Sequence, residues 1–108
     1  MDNREKQKYI LRAEVFKALS SPVRLAIVDY LEERERCVCE IVEYLGEKQS
    51  SVSRHLATLR NAGIVETKKE GLNIYYRLKT PCVSSFLGCI DAVIKEQHEE
   101  KDELIRSL

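Results

Sequence analysis

The chain has 108 residues, 44% of them hydrophobic and 33% charged, and its 18 Lys and Arg balance 18 Asp and Glu. That length allows one small domain, which buries a modest fraction of its surface and gains from a partner subunit. The balance excludes a polyanion binder coated in cations, the composition excludes a disordered chain, and no apolar run approaches the roughly 20 residues of a bilayer span. The N-terminal MDNREKQK has no apolar segment behind it, so the expectation is a cytoplasmic protein with no signal peptide and no membrane partner. The zero net charge conceals an asymmetry. Lys48, Arg54, Arg60, Lys68, Lys69 and Arg77 outnumber the acids between residues 47 and 77, whereas acids dominate from Asp91 onward. A basic middle suits a focused phosphate-binding surface.

In chain order, residues 4–19 place Tyr9, Ala13, Phe16 and Leu19 at helical spacing. Ser20-Ser21-Pro22 then reads as a stop followed by an N-capped helix with Pro in its first turn. That second helix carries Val23, Ile27, Tyr30 and Leu31 on one face. Val38, Ile41, Val42 and Leu45 form a third stripe closed by Gly46, and Val52, Leu56 and Leu59 form a fourth that ends before Gly63. Two short helices joined by a few residues with a Gly predict a helix-turn-helix over 38–62. Residues 64–78 read as two strands joined at Glu70-Gly71-Leu72-Asn73, a β-hairpin wing. Thr80 and Pro81 then open a long helix over 81–106 with Val83, Leu87, Ile90 and Ile94 along one face. The fold class is mainly α with a small β-hairpin: a single winged helix-turn-helix domain spanning residues 1–108.

The fourth helix carries the clearest functional signal. Residues on a helix advance about 100° each, so Val52, Leu56 and Leu59 share one narrow sector. Ser50, Arg54, Ala57, Thr58 and Asn61 lie opposite, with Ser51, Ser53 and His55 on the flanks. A small, polar face with a central Arg can enter a major groove. Arg54 suits guanine O6/N7, Gln49 suits adenine, and the hydroxyls suit bases or phosphate. Lys68, Lys69 and Arg77 on the hairpin suit phosphates beside the groove.

The segments ALSSPVRLAIVDYL, CVCEIVEYLG, QSSVSRHLATLRNAGIV and GLNIYYRL resemble the ArsR/SmtB family of metal-sensing repressors, from about Phe16 to Leu78. The resemblance implies a homodimer built from the terminal helices, binding a palindromic operator on double-stranded DNA and released by an inducer. It assigns the recognition-helix role to Gln49, Ser50, Ser51, Ser53, Arg54 and His55. Many relatives carry an Arg just after the turn Gly, where this chain has Leu72-Asn73. The family's last-helix zinc site needs an acid and His pairs; Asp91 is present, Val93 stands where a His is expected, and His98 is alone.

Cys37-Val38-Cys39 matches the CVC of the family's arsenic sensors, several of which add a third Cys where this chain has Val42. Thiolates are soft donors for As(III), Sb(III), Cd, Pb or Zn. Two positions on an ideal helix differ by about 200°, so joint capture by Cys37 and Cys39 requires Cys37 to lie outside the helix or the first turn to unwind. Cys82, near a helix N-terminus, is a candidate third metal ligand, and Cys89 reads as core. The leading reading is an arsenite-released repressor that requires no cofactor. A thiol-redox repressor using Cys37, Cys39, Cys82 or Cys89 is the alternative, and a protein-binding winged-helix module stands behind both. The four thiols are expected to be reduced rather than a disulfide framework. C-x-C lacks the C-x-x-C spacing of thiol oxidoreductases, and no other catalytic constellation is present, so no enzyme is expected.

Overall fold

A computed structural model describes residues 1–108. Its first two helices begin with the same device: a short polar side chain accepts an otherwise unpaired first-turn N–H. Asp2 takes the Glu5 N–H at 2.9 Å to open α1 (Asn3–Leu19), and Ser21 takes that of Arg24 at 3.3 Å to open α2 (Pro22–Leu31). After α2 the chain forms β1 (Arg36–Cys37), α3 (Val38–Leu45) and α4 (Gln49–Asn61), then β2 (Val65–Glu70), β3 (Asn73–Leu78) and α5 (Cys82–Arg106). Gly46 ends α3 at φ 65°, a left-handed conformation that favours glycine, and only Glu47 and Lys48 separate it from α4. This is the expected helix-turn-helix.

The wing departs from the expected simple hairpin. β2 and β3 pair antiparallel from Val65↔Leu78 to Glu70↔Asn73 around the two-residue turn Gly71-Leu72, but β1 adds a third strand on the far side of β3. Arg36 faces Tyr76 and Cys37 faces Tyr75. Two residues are too few to display an alternating pattern, so the sequence carries no strand signal there. Side chains rather than strand length hold it. The Arg36 guanidinium lies 4.0 Å above the Tyr30 ring, Tyr30 stacks on Tyr44 at 4.0 Å, and Arg36 pairs with Glu33 and Glu40.

The core lies where α2, α3, α4 and the root of the wing meet. Ile27, Val28, Ile41, Val52, Leu56, Leu59, Ile64 and Val65 are essentially inaccessible, and Tyr76, Leu78, Val83 and Leu87 pack around them. The stripes expected on α2, α3 and α4 point into this core. Those on the terminal helices reach it only at one end: Ala18 and Leu19 of α1 join the core and Val83 and Leu87 of α5 pack against it, while Tyr9, Phe16, Ile90 and Ile94 stay exposed. Thr80 also fails its expected capping role, because the residue before α5 is Pro81 and no side chain caps it. No helix is long and apolar enough to cross a membrane.

Candidate nucleic-acid interface and dithiol site

With Val52, Leu56 and Leu59 anchoring one side of α4, the opposite side is presented outward. Gln49, Ser50, Ser53, Arg54 and Thr58 are all exposed. Thr58 donates its hydroxyl to the Arg54 carbonyl at 3.2 Å. Ser51 and His55 differ: both are half-buried. His55 Nδ1 lies 3.2 Å from an Arg24 guanidinium nitrogen, and the same guanidinium donates to the carbonyls of Lys17 and Ala18. Arg24 thus ties the end of α1 and the start of α2 to α4, and His55 is turned toward that junction. A 100° step at the edge of an amphipathic sector leaves either direction open to a flanking residue, which is why the pattern alone did not resolve His55.

On the wing, Lys69 is exposed and has no ion-pair partner, whereas Lys68 reaches Glu70 at 3.4 Å. Arg77 donates to Glu66, its cross-strand neighbour, at 2.8 Å. Exposed pairs like these are worth about 1 kcal/mol or less, so both cations can exchange partners at a phosphate.

The cysteines meet one of the two conditions that helical geometry set for their joint action. Cys37 is the residue before α3, with extended backbone at φ −77° and ψ 162°, while Cys39 lies in the first turn. That places Cys37 outside the helix, the first of the two conditions for joint capture, and the sulfurs meet in a disulfide. The expectation of reduced thiols is therefore corrected for this pair. Glu40 secures the corner by accepting the Cys37 N–H at 3.2 Å and the Arg34 guanidinium at 2.8 Å. The Arg34 hydrogen bond, then the Cys37 N–H, hold the Glu40 carboxyl below its ordinary range against some desolvation. Arg34 is correspondingly shifted up, chiefly by that hydrogen bond. Glu three residues after the N-cap is a capping-box position, the signal by which the sequence could have revealed Glu40.

Cys82 and Cys89 are both exposed free thiols on α5, so the expectation that Cys89 belongs to the core is corrected. No group of three His, Cys, Asp or Glu side chains gathers to hold a metal, which leaves Cys82 apart from the pair within one chain. The pair instead opens on a groove of about 460 Å³. Its other walls include Val38 and Val42 of α3, Gln49 at the head of α4, and Leu72 and Ile74 at the wing tip. Sequence spacing gave no hint of this groove, because it depends on the wing folding back toward α3.

Residues 21–67 match the model of the arsR family of bacterial regulatory proteins. The chain is 46% identical over 86 residues to an uncharacterised HTH-type transcriptional regulator of Methanocaldococcus jannaschii, covering 79% of this chain and 97% of that protein. It is 34% identical over 101 residues to the arsenical resistance operon repressor of Escherichia coli, covering 93% and 86% of the two chains. Among solved structures, the homodimeric winged helix-turn-helix DNA-binding domain from Mycobacterium bovis superposes with a TM-score of 0.81 at 31% identity, covering 93% of each chain. The exposed polar face of α4, the wing beside it and these likenesses over nearly the whole chain lead to one assignment: the chain belongs to the ArsR family of winged helix-turn-helix transcriptional regulators.

Proposed function

We propose that this chain is a homodimeric repressor that binds a palindromic operator through α4 and leaves it when Cys37 and Cys39 capture a thiophilic metal or metalloid. One observation carries the switch. Cys37 is at once the N-cap of α3 and the ladder partner of Tyr75 in the wing. A change of bonding at its sulfur therefore bears on the support helix of the helix-turn-helix and on the wing together, which is a coupling between two sites. Arsenite is favoured among inducers because its trivalent centre needs fewer donors than tetrahedral zinc, and because the Escherichia coli relative is an arsenical resistance repressor. Base reading falls to Gln49, Ser50, Ser53, Arg54 and Thr58, with Ser51, Lys68, Lys69 and Arg77 on phosphates. His55 acts through the Arg24 junction. The dimer is supported by the apolar residues left open on the terminal helices, among them Phe16, Phe86, Ile90 and Ile94. A gel-shift titration of the operator complex tests the reading: arsenite, antimonite or a soft divalent ion should release the DNA. If all of them leave the complex intact, metal induction is wrong.

The Cys37–Cys39 disulfide itself favours a second reading, in which oxidation of the two thiols is the signal. Two electrons pass to an oxidant and two protons are lost as the S–S bond forms. Release by mild peroxide in metal-free buffer, absent in Cys37→Ser, would identify the redox sensor.

A further inference from the structure

Resting on the reading of α4 as the DNA-facing helix, we infer that Arg24 is a positioning residue for operator binding: it holds α4 through the unprotonated Nδ1 of His55, so that the helix is set for DNA only while His55 is neutral. Three contacts carry this. The Arg24 guanidinium donates through Nε to the Ala18 carbonyl and through one terminal nitrogen to the Lys17 carbonyl, while its other terminal nitrogen lies 3.2 Å from His55 Nδ1. Lys17 and Ala18 belong to the last turn of α1, where carbonyls lack partners within the helix and the dipole favours a cation. Arg24 is half-buried in the first turn of α2, and His55 is half-buried in the middle of α4. One side chain thus joins three helices.

The chemistry of the two side chains fixes the protonation state. A guanidinium offers only donors, so His55 Nδ1 must accept, which requires a lone pair there and leaves the ring proton on Nε2. Protonating the ring turns Nδ1 into a donor facing a donor and sets a cation against a cation. No carboxylate offsets that. Neither Arg24 nor His55 takes part in an ion pair, and neither do Glu14 and Lys17 of α1, which line the cleft that Arg24 shares with Thr58 and Asn61 of α4. On the other elements packed against α4, Glu40 of α3 is engaged by Arg34 and Glu66 of β2 by Arg77, while Glu43 of α3 lines the groove beside Gln49. Arg54, the residue before His55, adds positive charge. The contact therefore parts on protonation, and α4 loses its tie to α1, a part of the proposed dimer surface. That tie relates the recognition helix to the dimer axis, and its loss removes the alignment that two half-sites need.

The test is anisotropy of a labelled duplex from the upstream region of the chain's own gene, titrated with the full-length reduced chain at constant ionic strength. The pH runs from about 8 to about 5.5, the span over which histidine takes up its proton. The chain has two histidines, so the other, His98 in the acid-rich end of α5, serves as the control. Wild type and His98→Gln should both lose about tenfold or more in affinity on acidification. His55→Asn, whose carbonyl oxygen stands near the place of Nδ1 and accepts at every pH, should flatten the profile. Arg24→Met should flatten it too, at a weaker level of binding. Imidazole nitrogen shifts should show His55 as the Nε2–H tautomer in the wild type at the alkaline end, and as a mixture of tautomers in Arg24→Met. Tighter binding at low pH would overturn the inference, because a protonated His55 would then be meeting a phosphate. So would an acid loss that persists in His55→Asn, or one that coincides with a fall in helical circular dichroism. If the wild type binds no duplex at any pH, the reading of α4 falls as well.

Discussion

Glu40 shows how much one side chain can do at the corner that holds the thiols. Its carboxylate accepts the Cys37 N–H and binds Arg34, and both contacts favour the charged form. A carboxyl held below its unfolded value contributes stability that is complete above that value, ordinarily 4.5, and is lost as the pH falls through the lower folded one. Thermal midpoints of wild type and Glu40→Gln should therefore differ most near neutrality and converge as the pH drops below 4.5. A constant gap from pH 7 to 3 would show that the charge is irrelevant. The group is half-buried and still reached by solvent, so added salt should narrow the gap. On the DNA side, Arg54→Ala should weaken the operator complex by about tenfold or more and relax base preference, the usual effect of losing a bidentate guanine contact. Lys69→Ala should instead weaken every sequence alike and lower the salt-dependence slope by about 1. Anisotropy titrations over a range of salt separate the two roles.

Among the elements, α4 is the one the sequence specified best. Its three buried residues, Val52, Leu56 and Leu59, are those that the helical period picks out, and each is fully enclosed. Leu56→Ala should cost about 2–5 kcal/mol, the range for a leucine removed from a closed core. Urea denaturation followed by circular dichroism measures it; a loss under about 1 kcal/mol would mean that α4 does not rest on this core. Gly46 and the Ser21 cap were equally legible, because a left-handed residue and an N-cap hydroxyl have local chemical signatures. β1 was not, since its existence depends on β3 arriving beside it and on Arg36 stacking over Tyr30. The same long-range event closes the groove. Cys37 was legible only as a conditional: the helical wheel stated what would have to be true, and the N-cap position of Cys37 makes it so.

For the molecule as a whole, shape is the main clue. A compact domain of 108 residues has a radius of gyration of about 13 Å, yet this chain has 17.3 Å and spans 60 × 43 × 23 Å. The excess fits the 25-residue α5, which leaves Phe86, Ile90, Val93 and Ile94 open, and α1, which leaves Tyr9, Leu11 and Phe16 open. Phe16 meets Phe86 edge to face at 5.6 Å, so the two helices form one continuous apolar surface. A patch of that kind marks an interaction site. The stripes expected on these helices are present, on the helices from which the family resemblance builds the homodimer. Periodicity says that a face is apolar, not which chain covers it. Phe86→Glu with Ile94→Asp should convert a dimer to a monomer in sedimentation velocity and abolish tight operator binding, while the fully enclosed core around Leu56 stays folded. A species of unchanged mass would refute the dimer surface.

The central claim is that a bonding change at Cys37 and Cys39 releases α4 from DNA. Anisotropy of a labelled duplex from the upstream region of the chain's own gene, bound by reduced protein and titrated with a trivalent arsenical, tests it most directly. The account predicts full release of wild type, while Cys37→Ser and Cys39→Ser bind the duplex equally well but stay bound throughout the titration. Wild type that remains bound, or serine variants released at the same concentration as wild type, would contradict it.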